Sequence, residues 1–167
     1  MKTRSPKSGL NQVRRHRRRG EYREALCRVQ KLLDEWPDLP GLLVLRAELI
    51  QLQDEDGPDL KEVKESLERA MVLDNESVSA RVELGHFLFA VEDNARDALK
   101  EFRYAATLSR TQLIEALSGQ IEALHELGRD QDALGCFKEL LWLQDSDSKT
   151  KEPQALITAL KSFVNGS

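Results

Sequence analysis

Three packing positions spaced i, i+4, i+7 recur four times along this chain: Ala25/Val29/Leu32, Val63/Leu67/Ala70, Ala98/Phe102/Ala105 and Ala133/Phe137/Leu140. That spacing sets each triplet on one face of a helix. The first member advances by 38, 35 and 35 positions, room for a helix, a turn and a second helix in every repeat. The intervening stretches are helical as well. Residues 40–53 open on Pro40 and carry Leu43, Ala47 and Ile50 in register. Residues 77–92 turn Val82, Leu84, Gly85, Leu88 and Phe89 toward a core, and 111–128 do so with Leu117, Ile121 and Leu124. Breaks fall at Gly20, Trp36-Pro37, Asp56-Gly57-Pro58, Asp74-Asn75, Asp93-Asn94 and Gly128. One helix pair cannot cover its own apolar face, so such units are stable only when stacked. The expected fold is therefore all-α: a helix-turn-helix repeat solenoid of about four pairs, nine helices including a terminal cap. Residues 1–5 read as a flexible basic N-terminus, 6–145 as the repeat domain and 146–152 as a polar linker. Residues 153–164 supply the capping helix, with Leu156, Leu160 and Val164 on one side.

Leu84-Gly85-x2-Leu88 followed by Ala98-x3-Phe102-x2-Ala105 resembles the tetratricopeptide repeat, whose pattern spans about 34 residues. Gly20-x-Tyr22-x2-Ala25 followed by Pro37, and Gly128 with Ala133 and Phe137, match in part. The chain also departs from the pattern. Trp36 and Trp142 stand at second-helix ends instead of in a first helix, Val63 replaces an Ala, and QDEDGPD is inserted at 53–59. In the first repeat Gly9, Val13 and His16 occupy positions where larger apolar groups are usual. The resemblance, which covers residues 6–145, implies that the first helices line a concave groove where a partner lies. Its walls would be Arg14, Arg17 and Arg18 in the first repeat and Val44, Glu48 and Gln51 in the second. Val82, His86 and Phe89 follow in the third, and Ser118, Glu122, His125 and Glu126 in the fourth. Some members of the family clamp a peptide carboxylate with Lys, Asn and Arg. The corresponding residues here are Leu10, Arg14, Leu45, Ser79 and Glu83, of which only Arg14 suits that task, so the clamp is not expected.

Charge is distributed unevenly. Residues 1–23 hold nine Lys/Arg and one acid, Glu21, leaving 16 basic and 28 acidic residues in the rest of the chain. This asymmetry points to an electrostatically guided partner. With Arg14, Arg17 and Arg18 at one end and Glu115, Glu122 and Glu126 in the fourth repeat, the groove is expected to be polarised. The partner expected is a protein or peptide with an acidic segment, and self-association is open. Nucleic acid on the Arg-rich first helix is the alternative, although the acidic body and the lack of interleaved aromatics speak against it. A regulatory subunit of an enzyme complex is a third reading, and salt dependence separates the first two.

An enzyme is not expected. The three histidines lie on three different predicted helices, and no GxGxxG, P-loop, HExxH or paired CxxC is present. Neither a catalytic set, a cofactor nor a metal site is therefore expected. Cys27 and Cys136 fall in amphipathic stretches and read as free core thiols. No apolar run approaches the roughly 18 residues of a membrane span. No membrane partner is expected, and the reading is a cytoplasmic interaction adaptor or scaffold.

Overall fold

The computed structural model describes residues 6–53 and 59–145, and every regular element among them is a helix. In chain order these are α1 (Lys7–Arg18), α2 (Tyr22–Glu35), α3 (Pro40–Gln51) and α4 (Lys61–Leu73). They are followed by α5 (Val78–Ala90), α6 (Ala95–Glu126) and α7 (Asp130–Asp145). None of these helices is long and apolar enough to cross a membrane. The expected flexible terminus at 1–5, most of the acidic insertion, the linker at 146–152 and the capping helix at 153–164 lie outside the described residues.

The chain forms two compact units, Met1–Leu108 and Ser109–Ser167. Within the first, α1 packs on α2, α2 on α3, α3 on α4 and α4 on α5, and α3 also touches α5. The contact between α3 and α5 joins two helices that are not neighbours in the chain, whereas, among the described residues, α1 packs on α2 alone. The apolar triplets supply the core: Ala25, Val29, Val63, Leu67 and Ala70 are fully buried, and Leu32, Ala98 and Ala105 nearly so. Their mates from α3 and α5 include Leu43, Ala47, Ile50, Leu84 and Leu88. Helix α3 buries Leu42, Val44 and Leu49 too, and so is apolar almost all round. A helix covered by α2, α4 and α5 needs no polar stripe of the width a surface helix shows. Val82 and Phe89, expected in the core, are instead half-buried and exposed.

Polar contacts tie the same neighbours together. Arg46 on α3 donates from Nη1 to Ser66 Oγ on α4 at 2.6 Å and pairs through Nη2 with Glu62. Lys64 on α4 bridges both carboxylate oxygens of Glu92 at 2.9 and 3.1 Å, which raises its ammonium pKa.

Helix ends follow the residues that close them. Gly20 adopts φ +73°, and the amides of Gly20 and Glu21 donate to the carbonyls of Arg17 and His16. A left-handed residue after a helix, with these two bonds, satisfies carbonyls that the last turn leaves unpaired. Gly128, at φ +68°, repeats the arrangement in the second unit, with Arg129 donating to Leu124. In both turns a histidine reaches forward to an acid five residues on: His16 Nδ1 lies 2.6 Å from Glu21 and His125 Nδ1 lies 3.0 Å from Asp130.

The helix expected over residues 111–128 does not begin there as a separate element. Helix α6 continues for 32 residues, so seven helices stand among the described residues where eight were expected. Residues 95–118 contain neither Gly nor Pro, and Thr107 returns its hydroxyl to the Arg103 carbonyl at 3.0 Å instead of capping a new helix. In the second unit Leu117, Ala133 and Leu140 are buried, and Arg110 donates to the Leu143 carbonyl. The cysteines correct a second expectation: Cys27 is exposed, and the half-buried Cys136 thiol points to Gln120 Oε1 at 3.5 Å.

Candidate functional site

Side chains of α1, α3 and α5 line one open depression of about 460 Å³ in the first unit. Leu10, Arg14 and Arg17 come from α1, Leu42, Val44, Leu45 and Glu48 from α3, and Ser79 from α5. The backbone period explains why. Residues 10, 14 and 17 stand one turn apart on α1, as do 45 and 48 on α3, so each helix offers one stripe. Val44 was expected as a contact residue, yet it is buried at 4% exposure and serves as floor. It turns inward because α3 is enclosed by its neighbours.

Charge is concentrated at one rim. Arg17 Nη1 stands 2.7 Å from Glu48 Oε2, linking α1 to α3. That oxygen is buried and accepts no aligned hydrogen bond, so the contact is an ion pair without a directed bond. Glu83 on α5 completes the group. Burial pushes its carboxyl above the ordinary range, the Glu48 charge adds to the effect, and His86 and Arg17 offset part of it. Sequence reasoning placed Glu83, Leu45 and Ser79 only at carboxylate-clamp positions. Leu45 and Ser79 line the depression, and Glu83 lies within reach of the charges of Glu48 and Arg17.

Other expected residues are distributed as follows. Gln51 is half-buried and returns its amide to the Ala47 carbonyl at 3.4 Å. His86 is exposed and stands edge-on to Phe102, with ring centroids 5.0 Å apart at 69°. Phe89 is 60% exposed near the end of α5. Arg18 is exposed but does not line the depression. Ser118, Glu122, His125 and Glu126 are exposed on the part of α6 that belongs to the second unit.

Among the described residues no group of three or more His, Cys, Asp or Glu side chains is placed to hold a metal ion. What the depression offers is an aliphatic floor with a charged and hydroxyl-bearing rim, an arrangement that binds through shape and hydrogen bonds. The chain matches no protein-family model and no curated protein.

Proposed function

We propose that this protein is a tetratricopeptide-like interaction module, an adaptor or scaffold that holds a segment of a partner protein along the depression formed by α1, α3 and α5. The observation that carries this reading is the construction of the depression from three helices that alternate in the chain, with α3 touching α5 directly. Leu10 and Leu45 offer apolar surface at its floor, while Arg14, Ser79 and Glu48 ring it with donors and acceptors. An extended or helical peptide gains affinity from the apolar surface and register from the polar rim.

The reading is tested by filling the depression. Ser79 is exposed at its α5 edge, so Ser79→Trp should block a peptide without touching the core. Val72→Trp, at a site on α4 that is 84% exposed, adds the same bulk elsewhere. Proteins recovered with the wild type from native cells should be lost with Ser79→Trp and retained with Val72→Trp, both variants keeping the wild-type circular dichroism. Equal recovery with all three forms would remove the depression as the binding site.

A further inference from the structure

We infer that the outward face of α1 is a second binding surface, sharing only Arg14 with the depression, and that it takes an extended acidic segment of a partner protein. At about 100° per residue, Asn11, Arg14, Arg15, Arg18 and Arg19 fall within an arc of roughly 140° on the helix. Val13, which is fully buried, and Arg17, which faces Glu48, lie outside that arc. The five residues of the arc are all exposed, and together they line an open cleft of about 500 Å³.

Ion pairing separates this face from the other arginine. Arg17 is engaged by Glu48 at 2.7 Å, whereas Arg14, Arg15 and Arg18 have no acidic partner among the described residues. Arg19 reaches Glu21 only at 3.9 Å, and Glu21 lies closer to His16, at 2.6 Å. Helix α1 has no acidic residue of its own. Arg14 and Arg18 therefore form a like-charged i, i+4 pair, as do Arg15 and Arg19, and such pairs oppose the helix that carries them. The helix dipole favours cations in the last turn, which accounts for Arg15 and Arg18 singly. It does not account for four guanidinium groups on one face, a full turn deep, with no carboxylate among them. An external polyanion relieves the repulsion.

Geometry and charge select its kind. Side chains one helical turn apart stand about 5–6 Å apart at Cβ. Alternate residues of an extended chain project on one side about 6.6 Å apart. A segment with acids at every second position thus presents successive carboxylates to Arg14/Arg18 and Arg15/Arg19, each guanidinium being able to grip a carboxylate with two parallel donors. Nucleic acid fits less well: α1 carries no Phe, Tyr or Trp on which a base could stack, and the rest of the chain, with 28 acids against 16 bases, repels a long phosphate backbone. The expectation of an acidic partner is thereby moved from the groove, where Arg17 is already neutralised, to the outer face of the first helix. The inference does not depend on the depression, since Arg15, Arg18 and Arg19 do not line it.

The test uses the full chain and a fluorescent twelve-residue peptide of alternating Glu and Ser, followed by anisotropy at low salt. Binding is expected to weaken as salt rises, because exposed charges are screened. Arg15→Gln/Arg18→Gln should weaken it by about tenfold or more, while Arg96→Gln/Arg103→Gln, which removes the same charge from exposed positions on α6, should change it by less than about twofold. Ser79→Trp should leave it unchanged, which distinguishes failure of this surface from failure of the depression. Equal losses from the two arginine pairs would show nonspecific attraction and overturn the inference. So would a twelve-nucleotide single-stranded DNA that binds more tightly than the peptide and displaces it.

Discussion

Phe102 lies over Gly85, and a Cβ added to that glycine would come within 2.7 Å of the ring. The contact explains a Gly in the middle of α5, where the residue otherwise weakens a helix by roughly 0.5–1 kcal/mol relative to Ala. It lets the aromatic side chain of α6 close on the α5 backbone. Phe102 is half-buried, with its ring edge also against His86, so Phe102→Ala should lower stability by about 2–3 kcal/mol, below the range of a fully buried ring. The two positions should be coupled: Gly85→Ala is expected to be at least about 1 kcal/mol more favourable in the Phe102→Ala background than in the wild type, a sign that additive behaviour would contradict. Denaturant titration of the four proteins measures the cycle. Glu83 gives a pH prediction at the same scale. Its folded pKa is raised, so its contribution to stability is fully present below its unfolded pKa and is lost as pH rises through the folded value. Above that pH the carboxylate is held against burial and the Glu48 charge. Glu83→Gln should therefore stabilise the protein near neutral pH, by less than about 1 kcal/mol because the site remains partly solvated, and should flatten the acid side of the stability profile.

At the scale of elements, the helix that runs through residues 108–111 is the feature that repeat spacing alone does not reveal. The period calls for a turn there, but a turn needs a residue that favours one, and TLSRTQ offers neither Gly nor Pro. Local helix propensity prevails over the period, and one 32-residue helix results. Thr111→Pro separates the two cases. Proline is tolerated in the first turn of a helix that starts near 111, and costs about 3 kcal/mol in the interior of one that passes through it. A loss of that size in urea unfolding is expected; a variant as stable as the wild type would restore the turn. Elsewhere the sequence was legible because two signals agreed. Gly20 and Gly128 ended helices where the apolar register also ended, and both adopt the left-handed conformation that closes them. Ala25, Val29, Leu67 and Ala70 were placed in the core by a spacing that burial repeats. The register failed where an apolar residue lay at the margin of its face: Val82 and Phe89 sit beside Leu84 and Leu88 on α5, and only the packed neighbours decide which of them is covered.

For the whole molecule, the depression in the first unit was legible in proportion to how locally it is determined. Arg17 and Glu48 were both assigned to a groove wall, but no property of the sequence disclosed that they would pair with each other and leave Arg15, Arg18 and Arg19 turned outward. Pairing across helices depends on rotamers and helix offsets, which a periodic pattern does not encode. The largest contiguous buried cluster of the first unit is drawn from residues 13 to 98, with Phe102 packed against it. Its helices meet mainly their chain neighbours, and in such arrangements stability is close to a sum of local and nearest-neighbour terms. A fragment ending at Leu108 keeps every member of that core, the depression and the outer face of α1. It should remain helical and unfold in a single cooperative transition, because a core of this kind exposes its apolar surface all at once. It should also bind the alternating Glu-Ser peptide with an affinity within about threefold of the full chain, since the arginines that carry the contact are all retained. A fragment ending at Leu73 removes α5 and the start of α6, and with them Leu84, Phe87, Leu88 and Ala98, which would leave α3 and α4 uncovered on one side. That shorter fragment should lose cooperative melting. If it melts as sharply as the longer one, the stacking of α5 on α3 is not part of what holds the first unit together.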